Sequence, residues 1–253
     1  MAHLPGKFVW FEHVSNDIAA ARAFYERLFG WNTETMAMPG GTPYAMIHNG
    51  ETGIGGYAQA RSGAPTQWLS YLSVGDVDSS YKAAIAAGAK SVVAPMDVGP
   101  VGRMATVADP TGGVFALWRG NQGDPPDVET TPTGGWIWNE LTTQDEKTAL
   151  AFYEKVFAFD HDEMAMPDAI YYVLKASGKG RAGLMKAPDA AVPTMWTPYV
   201  AVDDADKIAA RAKELGAMVI VPPSEIPEVG RFAVIADPQG AAFAVLRPEP
   251  DMH

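Results

Sequence analysis

The chain contains no cysteine among its 253 residues. This absence excludes disulfides, thiolate catalysis and cysteine-ligated zinc or iron–sulfur sites. Basic residues are also scarce, since 19 Lys and Arg stand against 30 Asp and Glu, for a formal net charge of −11. Nucleic acids and anionic membranes bind to basic surfaces, so neither is expected as a partner.

Long apolar runs and targeting signals are lacking too. No apolar run approaches the ~18 residues of a membrane span, and the first residues do not show the basic-then-apolar pattern of a secretory signal. A cytoplasmic location is therefore expected. Hydrophobic residues make up 47% and charged residues 19%, which is typical of a folded globular protein of one large or two small domains.

An internal repeat organises the sequence. At an offset of 128 the two halves align without a gap, with about 39 identities over about 113 positions, far above chance. Phe24–Glu26 falls on Phe152–Glu154, and Asp109–Gly112 falls on Asp237–Gly240. Two copies are too few for a solenoid, so the repeat indicates two homologous modules.

We place the modules at residues 6–120 and 134–250, joined by a polar, proline-stiffened linker over 121–133. In the first module, residues 8–14 predict a strand because they mix aromatic and β-branched side chains. The apolar spacing over Ile18–Phe29 predicts a helix. Strands outnumber helices, so the sequence predicts an α+β fold of two tandem βαβββ-type modules, with curled sheets around a cleft.

Four motifs occur in the same order in both halves. In the first half they are Asp17 with the following Ala-x-x-Phe-Tyr and Phe-Gly, Val74-x-Asp76-x-Asp78, Gly88, and Asp109-Pro110-x-Gly112. In this order they resemble the vicinal oxygen chelate superfamily, which includes glyoxalase I, the bleomycin-resistance proteins and the extradiol dioxygenases. The resemblance covers nearly the whole chain and implies paired βαβββ units around a cleft.

Enzymes of that superfamily usually hold one divalent metal in the cleft, and the resemblance indicates where its ligands would lie. Counted from the motifs, those positions are occupied by Trp10, Leu69 and Ala116 in one module, and by Trp138, Thr197 and Ala244 in the other. None of these side chains is a usual ligand of a divalent cation. No cofactor is therefore predicted, and a divalent metal would require a relocated site.

Two glutamates share a strand face with the tryptophans at the first-strand positions. Alternation along a strand places Glu12 and Glu140 toward the cleft, where an unpaired carboxylate would be costly to bury. They are candidates for acid/base catalysis or ligand anchoring. The alternative, which we favour, is a buried ion pair in each module with Arg103 and Arg231, which repeat in the same way and are also candidates for ligand contacts.

Aromatic side chains on the strands form a second candidate set. Trp68 and Trp196 recur at the repeat offset and are expected in the core. A flat or apolar small molecule in the cleft would contact the others, which are Trp10, Trp138, Tyr44, Tyr172 and Trp118. For Trp118, a place in the core is equally open.

The histidines do not recur between the halves. His48 shares strand parity with Tyr44 and is a candidate to reach the cleft, although a solvated or satisfied histidine is the commoner case. His13 and Glu12 point to opposite faces of their strand and form no dyad. The glycine-rich stretch 50–56 contains no lysine, so it is expected as a flexible rim of the cleft rather than a phosphate loop.

Two functions from different classes follow. The first is a protein that binds a small, partly apolar or aromatic molecule, as the bleomycin-resistance proteins do. The second is a lyase, isomerase or oxygenase-type enzyme, with a relocated metal or with metal-free chemistry by Glu12 or Glu140. The expected partner is a small-molecule ligand, and the chain is expected as a monomer or homodimer.

Overall fold

A computed structural model describes residues 2–37, 43–61, 63–166 and 169–249. Over these ranges the chain forms sixteen strands and four helices, so the predicted α+β class is confirmed. Residue 250, the predicted end of the second module, lies outside them. Among the described helices, none has the length and apolar composition needed to cross a membrane.

Both halves show the same order of elements. The first half contains β1 (Phe8–Ser15), α1 (Ile18–Phe29), β2 (Asn32–Met36), β3 (Tyr44–Asn49), β4 (Thr52–Gln59), β5 (Gln67–Ser73), α2 (Val77–Ala86), β6 (Lys90–Val98), β7 (Gly102–Ala108) and β8 (Val114–Gly120). The second contains β9 (Trp136–Thr143), α3 (Glu146–Phe157), β10 (Asp160–Met166), β11 (Ala169–Ala176), β12 (Lys179–Lys186), β13 (Met195–Ala201), α4 (Ala205–Glu214), β14 (Met218–Ile226), β15 (Gly230–Ala236) and β16 (Ala242–Pro248). Each half therefore consists of two successive βαβββ sets.

The strands form two eight-stranded sheets of identical topology. One has the order β2-β3-β4-β1-β5-β8-β7-β6, and the other has the order β10-β11-β12-β9-β13-β16-β15-β14. The pairs β1–β4 and β5–β8 are parallel, whereas β2–β3, β3–β4, β6–β7 and β7–β8 are antiparallel. The tandem duplication predicted from the sequence is thus present in the topology.

Helix caps explain why the helices begin where they do. The Asp17 carboxylate accepts the backbone N–H of Ala20 at 3.0 Å, and Gly30 ends α1 with a φ of 73°. Helix α3 begins in the same way at Asp145, but it ends at Ala158 with a φ of 54°. The predicted helix over Ile18–Phe29 is confirmed. At the left-handed position after the helix, the second module has alanine, which adopts this conformation less readily than glycine.

The glycine-rich stretch was expected as a flexible rim, and this expectation is wrong. Residues 52–59 form strand β4, which pairs with β1 in parallel. A Cβ at Gly55 would collide with the backbone carbonyl of Phe11 on β1. Glycine is therefore required here for close approach of the two strands. The strand Asn32–Met36 was not predicted either, because its mostly exposed polar residues carry no apolar alternation.

The repeat is not gapless. Glu12 lies opposite Gly56 in the β1–β4 pair, and Glu140 lies opposite Gly183 in the β9–β12 pair. The glutamates are 128 apart (140 − 12), but the glycines are 127 apart (183 − 56). The second module therefore lacks one residue ahead of β12, and positions in this region correspond at an offset of 127.

The chain divides into two compact units that cut across the modules. The first unit holds the residues up to Trp10, Leu69–Asp127 and Trp138–Trp196, and the second holds Phe11–Trp68, Val128–Ile137 and the residues from Thr197 onward. Each unit therefore combines the first βαβββ set of one module with the second set of the other.

A buried polar network lies in the core of the second unit. The Trp68 indole donates to the Tyr25 hydroxyl at 2.8 Å, and that hydroxyl donates to Asp237 Oδ2 at 3.1 Å. His13, which is fully buried, places Nε2 2.7 Å from the same oxygen. Backbone N–H groups of the turn after β15 bind Asp237 Oδ1. The polar atoms that meet at this carboxylate are thus hydrogen-bonded, whereas Nδ1 of His13 has no hydrogen-bond partner among the described residues.

The first unit repeats this network with one change. Trp196 donates to the Tyr153 hydroxyl at 3.0 Å, and Tyr153 donates to Asp109 at 2.8 Å. Leu141 occupies the position that corresponds to His13. The core placement predicted for Trp68 and Trp196 is confirmed, since they are 3% and 4% exposed. The aromatic and Asp-Pro motifs of the sequence therefore hold the core of each unit together.

Candidate functional site

The second unit carries a carboxylate–tyrosine pair on the half-buried face of its strands. The Tyr44 hydroxyl on β3 donates to Glu12 Oε1 on β1 at 2.9 Å. Strand β4 lies between β3 and β1, and the tyrosine ring passes over Gly56, where a Cβ would overlap the ring and its hydroxyl. The glycine therefore makes the Tyr44–Glu12 hydrogen bond possible.

The first unit builds the same pair with a further donor. The Tyr171 hydroxyl on β11 donates to Glu140 on β9, and a Cβ on Gly183 would overlap that hydroxyl. The Trp138 indole N–H donates to the Tyr171 oxygen at 2.8 Å. Burial first, and then the negative charge of Glu140, raise the pKa of Tyr171 well above its ordinary value. Tyr171 is therefore a neutral hydrogen-bond donor at any physiological pH.

The counterpart of Tyr44 in the first unit is Tyr171 and not the neighbouring Tyr172, whose predicted ligand contact stays a prediction. The one-residue deletion shifts the register of β11, and a shift of one residue turns a strand's side chains to the opposite face. Tyr172 is 5% exposed, and its ring lies 5.5 Å from that of His161. The glycine spacing was the sequence signal that would have identified Tyr171, because Gly53 and Gly56 match Gly180 and Gly183 at an offset of 127.

The favoured prediction of buried ion pairs between the two glutamates and the two arginines is wrong, because the arginines bind other carboxylates. Arg103 donates to Asp78 at 2.6 and 2.9 Å, and to Asp97 at 2.8 Å. Arg231 binds Asp206 in the same way. The arginines repeat because each binds an aspartate in the first turn of a helix, α2 or α4, from a strand that packs beside it. Strand parity does not reveal such a long-range pair.

Two other predicted residues lie on the strand faces. His48 is half-buried on β3, with Nε2 3.9 Å from Glu34 Oε2. Trp118 is half-buried on β8, and its ring lies 5.9 Å from that of Tyr71. Their roles, like those of half-buried Trp10 and Trp138, stay predictions.

The residues at the positions where the resemblance places metal ligands do not fit a divalent cation. Ala116 and Ala244 are fully buried and carry no donor atom, and Leu69 is buried too. Over the described ranges, no group of three or more His, Cys, Asp or Glu side chains is arranged to hold a metal ion. A metal-free state remains a prediction that requires measurement.

Family comparisons agree with the duplicated topology. Residues 7–117 match the Glyoxalase/Bleomycin resistance protein/Dioxygenase superfamily, and residues 139–246 match a Glyoxalase-like domain. "Putative glyoxylase CFP32" of Mycobacterium tuberculosis is 41% identical, covering 95% of this chain and 94% of its own length. The chain belongs to this superfamily. "Anthracycline biosynthesis protein DauV" of a Streptomyces species is 32% identical, covering 96% of this chain and 93% of its own length.

Solved structures of superfamily members share the fold at low sequence identity. The Mn(II)-bound glyoxalase from Novosphingobium aromaticivorans has a TM-score of 0.62 at 16% identity, covering 99% of this chain and 89% of that chain. The 2,2',3-trihydroxybiphenyl 1,2-dioxygenase from Sphingomonas wittichii has a TM-score of 0.63 at 16% identity, covering 97% and 91%. At such identities the likeness concerns the fold alone.

Proposed function

We propose that the protein binds a small, partly apolar or aromatic molecule on the strand faces that carry the two carboxylate–tyrosine pairs. One observation carries this proposal: in each unit, a glycine lets a tyrosine reach a half-buried glutamate that faces away from the helix-packed core. A few fixed polar groups in an aromatic surface are typical of small-molecule sites.

Two further observations support a binding role. The positions where the resemblance places metal ligands carry apolar side chains or a threonine hydroxyl, which supports binding without the usual metal of the superfamily. The names of two relatives refer to anthracycline biosynthesis, which agrees with a small-molecule ligand rather than a macromolecular one. A metal-free enzyme is the second candidate, because a carboxylate held by a tyrosine hydroxyl can act as a base.

Native mass spectrometry of freshly purified full-length protein tests this proposal. We expect a species with a bound organic molecule and without a divalent ion, and loss of that molecule in Tyr171→Phe and Tyr44→Phe. Thermal melts with Zn²⁺, Ni²⁺, Mn²⁺ or Fe²⁺ should lack the roughly 2.7 kcal/mol of stabilisation that a specific ion gives at about 100 times its dissociation constant. One metal ion per chain would instead favour a relocated metalloenzyme site.

A further inference from the structure

A groove of about 310 Å³ lies at the ends of two helices in the second unit. The residues that line it belong to the end of α1, the start of α4, the loop that leads from β13 into α4, and the loop ahead of β9. Its volume is at the lower end of the range for small-molecule sites. The groove is therefore a separate place from the strand faces that carry the carboxylate–tyrosine pairs.

The groove combines an apolar lining with a fixed loop wall. The apolar lining consists of Leu28, Phe29, Val202 and Ile208. Gly134, in the loop ahead of β9, accepts the Trp31 indole N–H at 2.9 Å and donates its own N–H to the Ala201 carbonyl at 2.8 Å. A wall that is already held by hydrogen bonds needs little ordering when a ligand binds.

Asp203 supplies the uncompensated charge on the rim of the groove. Its Oδ1 accepts the Thr133 hydroxyl at 2.6 Å, and no other described group donates to this carboxylate. Lys207 is already paired, because its Nζ lies 3.0 Å from Asp204 Oδ2. Two aspartates and one lysine thus leave the rim with one negative charge, at Asp203.

The adjoining helix ends add to the attraction for a cation. Leu28 and Phe29 are the last two residues of α1, where the backbone carbonyl groups carry a partial negative charge. Arg27 is exposed and is not among the described residues that line the groove. The partial positive charge at the start of α4 is met by its cap, since Asp204 Oδ1 accepts the Lys207 N–H at 3.0 Å. A positively charged group beside the apolar lining therefore suits this groove.

The other unit shows that Asp203 is not needed to begin a helix. At the repeat offset of 128, Asp203 corresponds to Gly75 and Asp204 corresponds to Asp76. Helix α2 nevertheless begins in the same way, with the Asp76 carboxylate accepting the Ser79 N–H at 2.8 Å. The cap is thus common to both units, whereas the unpaired carboxylate ahead of it belongs to the second unit, where it lines the groove.

We propose that this groove binds small molecules that combine a primary ammonium group with an apolar body. The ammonium group binds the Asp203 carboxylate, and the apolar body packs on Phe29 and Ile208. A hydroxyl in place of the ammonium group loses the charge attraction, and a carboxylate in that place is repelled by Asp203. The inference concerns a different surface from the function proposed above and does not depend on it.

Three probes of similar size test the inference by calorimetric titration of the full-length protein at neutral pH. They are 2-phenylethylamine, 2-phenylethanol and phenylacetate. We expect the amine to bind roughly tenfold or more tightly than the alcohol, because a hydrogen bond to a charged group is the stronger one, and the carboxylate to bind most weakly. Added sodium chloride should weaken binding of the amine and leave that of the alcohol unchanged, because salt screens the attraction between charges.

Three variants locate the site. Asp203→Asn should bring the affinity for the amine down to that for the alcohol, because the amide keeps the shape and removes the charge. Ile208→Ser, which copies Ser80 of the other unit, should weaken the amine and the alcohol by the same factor. Glu214→Gln removes one exposed negative charge at the opposite end of α4 and is the matched control, so it should leave all three affinities unchanged.

The results that would overturn the inference differ from a failure of the proposed function. They include no measurable binding of the amine, and an equal loss of its affinity in Asp203→Asn and Glu214→Gln, which would show unspecific attraction to an acidic protein. Tightest binding of phenylacetate would assign the groove to Lys207. Amine binding that survives Asp203→Asn but is lost in Tyr44→Phe would reject this groove and support the strand-face site.

A cooperative thermal melt of each variant verifies that the binding data come from folded protein. Asp203→Gly copies the residue of the other unit and replaces Asp203→Asn if that variant does not fold.

Discussion

At the scale of single residues, Gly56 and Gly183 matter because they have no side chain. Each lies on the strand between a tyrosine and a glutamate, and its missing Cβ is the space that the ring occupies. The two carboxylate–tyrosine pairs therefore depend on two residues without functional groups. Glycine in a strand normally weakens it, and close approach of another group is the usual reason to keep it there.

Gly56→Ala should displace the Tyr44 ring and break its hydrogen bond to Glu12. We expect a loss of about 1–3 kcal/mol in the free energy of unfolding, which is the usual cost of overpacking. In a Tyr44→Ala background the added methyl group has room, so the same change should cost far less. Urea unfolding of the wild-type protein, the two single variants and the double variant measures the interaction energy between the two positions. Gly75→Ala, where a Cβ meets open space, is the control; additive costs would contradict the proposed packing.

The second residue-scale prediction concerns acid. Burial raises the pKa of Asp237, but the hydrogen bond and charge of His13, together with backbone N–H groups, lower it below its ordinary value overall. A carboxyl with a lowered folded-state pKa stabilises the fold above its unfolded pKa of about 3.9, and this contribution is lost as the pH falls through the folded value.

His13→Leu should therefore flatten the acid dependence of stability. The variant copies the other unit, where Leu141 takes this place and Asp109 keeps the tyrosine and backbone donors. Without His13, burial becomes the main influence on the pKa of Asp237. Protonation of this carboxylate in the folded protein then costs less free energy. Urea midpoints between pH 5 and pH 2 should fall more steeply for the wild-type protein than for His13→Leu. An equal fall of the urea midpoint with pH in the two proteins would show that His13 does not lower the pKa of Asp237.

At the scale of secondary-structure elements, the two modules end equivalent helices differently. Gly30 and Ala158 both adopt the left-handed conformation after the last helical turn, with φ of 73° and 54°. A Cβ at Gly30 meets nothing within 4 Å, so the difference between the two residues is one of backbone strain and not of packing. Alanine in this conformation is strained relative to glycine.

Ala158→Gly should stabilise the protein by about 1 kcal/mol, which corresponds to about 2–4 °C in Tm for a chain of this size. Gly30→Ala is the reverse change at the equivalent position and should lower Tm by a similar amount. Differential scanning calorimetry of the two single variants and the double variant measures both effects. Tm shifts of the same sign in the two single variants would contradict the capping argument.

At the scale of the whole molecule, the modules of the sequence are not the units of the fold. Each compact unit takes one βαβββ set from each module. The Asp237 carboxylate of the second module satisfies the Tyr25 hydroxyl of the first, and Asp109 of the first module does the same for Tyr153 of the second. Separation of the modules would leave these buried groups without their partners, which is costly.

Cutting the chain between Pro125 and Pro126 should therefore yield halves that do not fold as stable monomers. Each half alone should aggregate or form homodimers, because a second copy can supply equivalent partners to its buried tyrosine and aspartate. Mixing the refolded halves should restore a one-to-one complex. Size-exclusion chromatography with light scattering measures these states. Two monomeric halves, each with cooperative unfolding, would show that a module is self-sufficient.

The sequence alone determined the duplication, the α+β class, the helix over Ile18–Phe29 and the family resemblance. These features depend on local patterns, and the motifs that carry the resemblance include the tyrosine and the Asp-Pro aspartate that meet in the core of each unit. It also located Glu12 and Glu140, because strand parity is a local property. Their partners were decided only by tertiary structure. Tyr171 reaches Glu140 across an intervening strand, and Arg103 turns instead to Asp78 on a helix. Such contacts depend on strand order, on a one-residue change of register and on the space above a glycine, none of which local spacing reveals.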